Sequence, residues 1–278
     1  MFNKRTDGTY TRPSDPFFRV MANIMPTRAE SQVLYEHTFD ADILTDYLKS
    51  QHNNPSGMTF LSLFIACYVR MLKEHPQINR FIVNRRLYAR EEIHIAFVIK
   101  KRLNATADET AIKLVFTGNE TLQQIHETVE TEIKKNMMTD NENETDSLAK
   151  FFNKLPNGLI RFGVGLCKFA DAHNMLPKAV INASPFHCSM FITYVKSIKL
   201  DRVFHHLYNF GTCSVFAGIG KTITRAGLAQ NEFTAKRTIS VAYVIDERIC
   251  DGYTMAKAFQ TVEKLLKNPA LLEQSFTQ

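Results

Sequence analysis

The sequence predicts an α+β protein, a mixed sheet with flanking helices, and three observations carry that prediction. Short runs rich in Val, Ile, Phe and Tyr alternate with period two, as strands do. Other stretches place apolar residues at helical spacing. The two kinds follow one another unevenly, which is the pattern of an α+β or mixed α/β chain rather than a regular array. With 278 residues, 45% of them apolar, a sizeable core is available. No linker divides the chain, so residues 1–278 are expected to form a single domain.

The elements follow in order. Residues 31–39 (SQVLYEHTF) read as a strand and 41–49 as a short helix. Residues 58–75 form a mostly buried helix that Pro76 ends. RFIVNRRLYAR is apolar on both sides of Asn84-Arg85, which predicts a hairpin. Strands follow at 92–100 and 111–116. Thr121 opens a helix to about 136, with Leu122, Ile125, Val129 and Ile133 on one stripe. Residues 139–147 are acidic and polar, an exposed loop. Helical stretches at 147–154 and 158–175, joined through Leu155-Pro156-Asn157-Gly158, make a helical insertion at about 146–183. Within it, Gly163-Val164-Gly165 reads as helix packing. Then come strands at 186–195 and 212–219, a loose polar loop at 221–236 and a strand at 238–246. A final helix at 252–267 is stopped by Asn268-Pro269.

Composition bounds the chemistry. A net charge of +6 and a pI of about 9.0 suit an anionic ligand such as a coenzyme. There is no tight Lys/Arg block, so nucleic acid is not expected. Cys67, Cys167, Cys188, Cys213 and Cys250 are odd in number and unpaired in spacing, with no zinc pattern; most of them sit in apolar runs and read as buried thiols, and no metal is expected. The N-terminus lacks the apolar core of a signal peptide, and the apolar stretches near 60–69 and 158–170 are too broken to span a bilayer. The expectation is a cytoplasmic protein with no membrane contact. Gly218-Ile219-Gly220-Lys221-Thr222 has the ending of a phosphate loop, but Val215 stands where its first Gly is required.

One segment is more specific. An alternating strand (Ile239, Val241, Tyr243, Ile245) runs into Asp246-Glu247-Arg248-Ile249-Cys250-Asp251-Gly252, a helix, and Leu265-Leu266-Lys267-Asn268-Pro269-Ala270-Leu271-Leu272. Upstream lie Met190-Phe191-Ile192-Thr193-Tyr194 with Leu200-Asp201, and His75-Pro76-Gln77-Ile78-Asn79 before the strand Ile93–Ile99. In order and rough spacing, over roughly residues 15–275, these resemble the catalytic domain of the dihydrolipoyl acyltransferases of 2-oxo acid dehydrogenase complexes. They also resemble the chloramphenicol acetyltransferases, which share the His-x-x-x-Asp-Gly core. Every landmark matches except the catalytic histidine, which is Glu247 here. On this resemblance the chain is expected to begin almost at the catalytic core, without a lipoyl or subunit-binding domain.

The resemblance implies a chloramphenicol acetyltransferase-like two-layer sandwich, a homotrimer with its site between subunits, and an acyl group moved between coenzyme A (or a lipoyl or carrier thiol) and an acceptor. Coenzyme A or acyl-CoA would be a co-substrate, with no cofactor held permanently. A dehydrogenase-complex subunit or an acyl carrier is the implied partner. Thr193 falls on the oxyanion-donor position, Glu247 on the base, and Asp251 on a loop anchor with Arg19 or Arg28 as its partner.

The residues themselves leave plainer readings open. Glu247 as base for a thiol is mismatched by roughly 4 pKa units, on the order of 5–6 kcal/mol, so it is either a base raised by burial or a solvated charge on a catalytically degenerate scaffold. Asp251 before Gly252 is also a natural helix N-cap. Thr193 is also an ordinary β-branched strand residue. His187, Ser189, Phe191 and Thr193 alternate along the predicted strand, which sets His187 about 20 Å from Thr193; His187 is then a core or interface histidine, and a secondary candidate base only where a subunit interface or the fold brings it close. His205 and His206, after the same strand, are the alternative bases.

Overall fold

The computed structural model describes residues 4–13, 15–51, 57–100, 109–138, 156–229 and 232–276. Among them, strands β1 (Lys4–Arg5) and β2 (Gly8–Tyr10) precede helix α1 (Pro16–Ile24), strand β3 (Gln32–Asp40), and helices α2 (Ala41–Ser50) and α3 (Phe60–Glu74). Strands β4 (Arg80–Val83), β5 (Arg86–Ala89), β6 (Ile93–Lys100) and β7 (Glu109–Phe116) lead to helix α4 (Leu122–Met138). Then come α5 (Asn157–Ala172), α6 (Lys178–Ala183), β8 (Met190–Tyr194), β9 (Val215–Ala229), β10 (Glu232–Asp246) and α7 (Gly252–Lys267).

The main sheet has six strands in the order β3-β10-β9-β8-β6-β7. It is mixed: β8 runs parallel to both β6 and β9, and the other neighbours are antiparallel. Its two faces are covered differently. Met190, Ile192, Ile239, Val241, Tyr243 and Ile245 face the large core, where α3 and α7 pack. Helix α3 is apolar all round, and every residue from Ser62 to Leu72 is buried, as expected of a helix with neighbours on all sides. Tyr68 and Tyr243 share a hydroxyl–hydroxyl bond of 2.8 Å inside this core. The opposite face carries a smaller cluster of Ala96, Cys188, Phe191, Leu207, Cys213, Phe216 and Val244. There the cover is the segment between β8 and β9 rather than a helix.

Local signals explain several boundaries. Asn84 and Arg85 have φ of 46° and 60°, the left-handed pair that a two-residue hairpin turn needs, and β4 and β5 pair across it with Val83 opposite Arg86. They belong to a four-stranded sheet in the order β1-β2-β5-β4. The sequence reading did not anticipate β1, β2 or α1, although Asp15-Pro16 is a cap followed by Pro at the first helical position, and Asp15 accepts from the Phe17 amide.

Three expectations change. Residues 221–236 are not a loose loop: β9 and β10 pair from Ile219↔Val241 out to Ala229↔Glu232. Those residues are polar on both faces, which hides the alternation that marks a half-buried strand, yet the backbone ladder needs no apolar face. The strand expected at 186–195 begins only at Met190, because residues 185–189 form turns. Gly165 is not a packing contact, since a Cβ there would meet nothing within 4 Å. The expected loop at 139–147 and helix at 147–154 lie outside the described residues; the described part of the insertion is α5 and α6. Among the described residues no helix is long and apolar enough to cross a membrane.

Candidate functional site

Thr193 sits near the end of β8, beside Gly218 of β9 in parallel register. Its strand alternates, so Phe191 and Thr193 project to the face bearing the smaller cluster while Ile192 projects into the main core. The Thr193 hydroxyl lies 2.8 Å from His205 Nε2. The His205 ring stacks on Phe216, with centroids 4.5 Å apart and planes inclined by 20°. Burial lowers the His205 pKa below its ordinary value, and neighbouring His206 lowers it further, so the ring is neutral at pH 7. His206 is exposed and packs on Tyr208 instead.

Two glycines bring His205 to this place. A Cβ on Gly218 would collide with the Val203 carbonyl oxygen, and one on Gly220 would come within 2.6 Å of the Arg202 nitrogen. With hydrogen in those positions, residues 201–203 lie flat against β9, held also by the Lys221 amide donating to the Leu200 carbonyl at 2.8 Å. The Gly-Ile-Gly of the discarded phosphate loop therefore serves close backbone approach.

Glu247 lies in the turn after β10. Through the register Thr193↔Gly218↔Ala242 it stands five residues and two strands from Thr193, roughly 20 Å away. One copy of the chain does not bring the two together. Glu247 is half-buried; its amide donates to the Ser31 carbonyl at 3.0 Å, and its carboxylate makes no bond among the described residues.

The same turn is held by a pair that the sequence reading passed over. Arg248 donates to both oxygens of Asp246, Nε to Oδ1 at 2.8 Å and Nη2 to Oδ2 at 2.6 Å, with both side chains almost fully buried. Ser31 adds a bond to Asp246 at 3.0 Å, and Arg248 Nη1 donates to the Met25 carbonyl at 2.7 Å. A bidentate pair with its remaining valences filled is the strong form of a buried ion pair.

Asp251, expected to anchor the loop through Arg19 or Arg28, does neither in this chain. It caps α7, accepting from the Thr254 amide at 2.8 Å and the Thr254 hydroxyl at 2.7 Å. Arg28 is buried and donates to the Ile82 carbonyl at 2.7 Å, while Arg19 is exposed on α1. The turn is held instead by Arg248 and Asp246, two positions apart.

His187 is a core histidine, but not on the strand. It lies 3.4 Å from Asp171 and bonds Ser184 at 2.8 Å. Asp171 also receives Arg5 at 2.7 Å, and Arg5 binds Asp7 at 2.8 Å, with Arg90 3.8 Å from Asp7. This buried network ties β1, β5 and the end of α5 together. Burial works to raise the Asp171 carboxyl, but the His187 bond and the charges of His187 and Arg5 outweigh it and hold it at about 2. Nothing in the sequence marks these residues as neighbours.

Residues 212–273 match the family described as 2-oxoacid dehydrogenases acyltransferase (catalytic domain). No curated protein matches the chain. Solved structures share its fold. A probable dihydrolipoamide acetyltransferase from Listeria monocytogenes is 13% identical, with 94% of this chain and 95% of that one covered and a TM-score of 0.57. The dihydrolipoamide acetyltransferase of Azotobacter vinelandii is 16% identical, with 94% of each chain covered and a TM-score of 0.58. A chloramphenicol acetyltransferase is 11% identical, with 93% and 99% covered and a TM-score of 0.55.

Proposed function

From the chloramphenicol acetyltransferase-like fold that this chain has, we propose that it is an acyltransferase moving an acyl group between coenzyme A, or a lipoyl or carrier thiol, and an acceptor. The observation that carries the reading is the Thr193 hydroxyl held 2.8 Å from the neutral imidazole of His205. A hydroxyl to receive a tetrahedral oxyanion and a nitrogen to receive a proton are the two groups such a transfer needs.

Each group has a defined task. With Nε2 unprotonated, the Thr193 hydroxyl donates to it in the resting state. An incoming thiol gives its proton to that nitrogen, and the sulfur attacks the acyl carbonyl. The freed hydroxyl then donates to the developing oxyanion, and the tetrahedral intermediate collapses by expelling the donor's thiolate, which takes the proton back from the His205 imidazolium. An ordinary imidazole falls about 2 pKa units short of a thiol and an ordinary carboxylate about 4, so the proton transfer costs about 3 kcal/mol with an ordinary imidazole as base and about 6 with an ordinary carboxylate. The lowered pKa of His205 takes back part of that advantage.

A homotrimer with the site between copies fits two further facts. Glu247 reaches Thr193 only if another copy supplies it. Apolar stripes also stand exposed on α1 (Phe17, Val20, Ile24) and α5 (Leu159, Phe162, Leu166, Phe169), as surfaces awaiting cover do. Asp251 then shapes the turn as a helix cap. A dehydrogenase-complex subunit or an acyl carrier is the proposed partner. The alternative, a degenerate scaffold, is favoured by Glu247, whose carboxylate stands at the family's histidine position and makes no bond among the described residues.

The test is thiol release from acetyl-coenzyme A with a panel of thiol, amine and hydroxyl acceptors. Turnover is expected to fall at least about 100-fold in Thr193→Ala and in His205→Gln. Glu247→Gln separates the two candidate bases. Release no faster than background with every acceptor would leave the scaffold reading.

A further inference from the structure

A cleft of about 180 Å³ opens beside the turn that follows β10. Its walls come from residues 26–28, the β4 end of the hairpin, the C-terminal end of α5, residues 209–211 and Arg248. We propose that this cleft binds a phosphate-class oxyanion, held by Arg28, Lys168 and Asn209, as a ligand site separate from the Thr193–His205 pair.

The charge balance of the walls makes the case. Three cations line the cleft: Arg28, Lys168 and Arg248. Arg248 is committed to Asp246 and to the Met25 carbonyl. The carboxylate in the wall, Asp171, is committed to Arg5 at 2.7 Å and His187 at 3.4 Å. Arg28 and Lys168 are therefore left with no carboxylate partner among the described residues.

Arg28 is the more telling of the two, because it is only 5% exposed. Its Nη2 donates to the Ile82 carbonyl, but its Nε is buried with no partner. A buried guanidinium with an unmade bond is costly, and native structures fill such bonds with water, an ion or a ligand. Burial pulls the Arg28 pKa down, Asp246 opposes that, and Arg248 reinforces it. Asn209 supplies a second kind of donor. Its carboxamide oxygen accepts from the Arg28 amide at 3.0 Å and the Ala29 amide at 3.3 Å, which leaves its two N–H groups for a ligand.

A guanidinium, an ammonium and a primary amide lining one small space suit a tetrahedral anion with several acceptor oxygens better than a planar carboxylate, which one guanidinium fork already satisfies. The cleft has room for a phosphoryl group carrying a small organic portion.

Calorimetric titration of the full chain with inorganic phosphate at constant ionic strength tests this, with acetate as the control anion. Saturable one-to-one binding is expected. Lys168→Gln, on an exposed helix face, should weaken it about tenfold. Arg28→Gln should abolish it, and Lys49→Gln on α2 should leave it unchanged. Should Arg28→Gln fail to fold, the contrast between Lys168→Gln and Lys49→Gln decides alone. The site is refuted by an absence of saturable binding, by acetate matching phosphate, or by Lys168→Gln binding as the wild type does. The readout is binding rather than turnover, so this site and the acyl-transfer reading stand or fall separately.

Discussion

Replacing Gly218 by alanine tests whether close backbone approach is what places His205. The added Cβ would overlap the Val203 carbonyl oxygen, a backbone atom that no rotamer change can move away. Overpacking of this kind costs about 1–3 kcal/mol when it is absorbed in place. The segment has a cheaper exit: lifting residues 201–207 off β9 sacrifices the His205–Thr193 bond, a net contribution of about 0.5–1.5 kcal/mol, with part of the stack on Phe216. The expected outcome is a stability loss near 1–2 kcal/mol and a His205 ring displaced by about an ångström. A displacement of that size costs roughly 100-fold in rate where geometry is catalytic. The released ring is better hydrated, so its pKa rises toward 6.5. Nuclear magnetic resonance titration of the His205 ring, run beside thiol release, reads both effects. A Gly218→Ala protein that keeps the wild-type titration and rate would refute the reasoning. Gly165→Ala on α5, where a Cβ meets nothing, is the matched control and should gain up to about 1 kcal/mol from helix propensity.

Three further outcomes follow from the same geometry. The Asp171 carboxyl lies near 2 in the folded chain against 3.8 free, a depressed value whose stabilisation is fully present above about pH 4 and lost as pH falls toward 2; that difference corresponds to about 2–3 kcal/mol, and Asp171→Asn should flatten denaturant midpoints across that window. Tyr68→Phe should cost about 1–3 kcal/mol by stranding the Tyr243 hydroxyl, whereas Tyr68→Phe with Tyr243→Phe should recover most of the loss; equal losses in the single and double variants would show that the hydroxyl pair is not the source. Asp251→Ala should lower stability by about 1 kcal/mol through the lost cap; a double-mutant cycle with Arg28→Gln should show no coupling, and coupling above about 0.5 kcal/mol would restore the loop-anchor role.

Helix α7 was legible in the sequence from end to end, because its cap, its apolar stripe and its Asn268-Pro269 stop all lie within one continuous segment. The hairpin at Asn84-Arg85 was legible for the same reason, its turn being defined by two adjacent residues. The turn 246–252 stood out by its residues, but its roles did not. Whether Asp251 reaches an arginine or its own helix amide depends on where α1 and the segment after it come to lie, and Asp251 met the amide three residues away.

What only tertiary structure decided involves pairs far apart in the chain or hidden by an irregular path. Thr193 and His205 are twelve residues apart, and no periodicity predicts that the chain leaves β8, turns back and lies on β9. That return depends on hydrogen atoms at Gly218 and Gly220, residues whose spacing looks like something else in one dimension. The Arg5–Asp7–Asp171–His187 network and the cleft around Arg28 gather side chains from opposite ends of the sequence. Local pattern sets which face of an element is apolar, and so it determined the elements and their core stripes. Which polar groups meet is set by the path of the chain between those elements, and that path is a property of the packed whole.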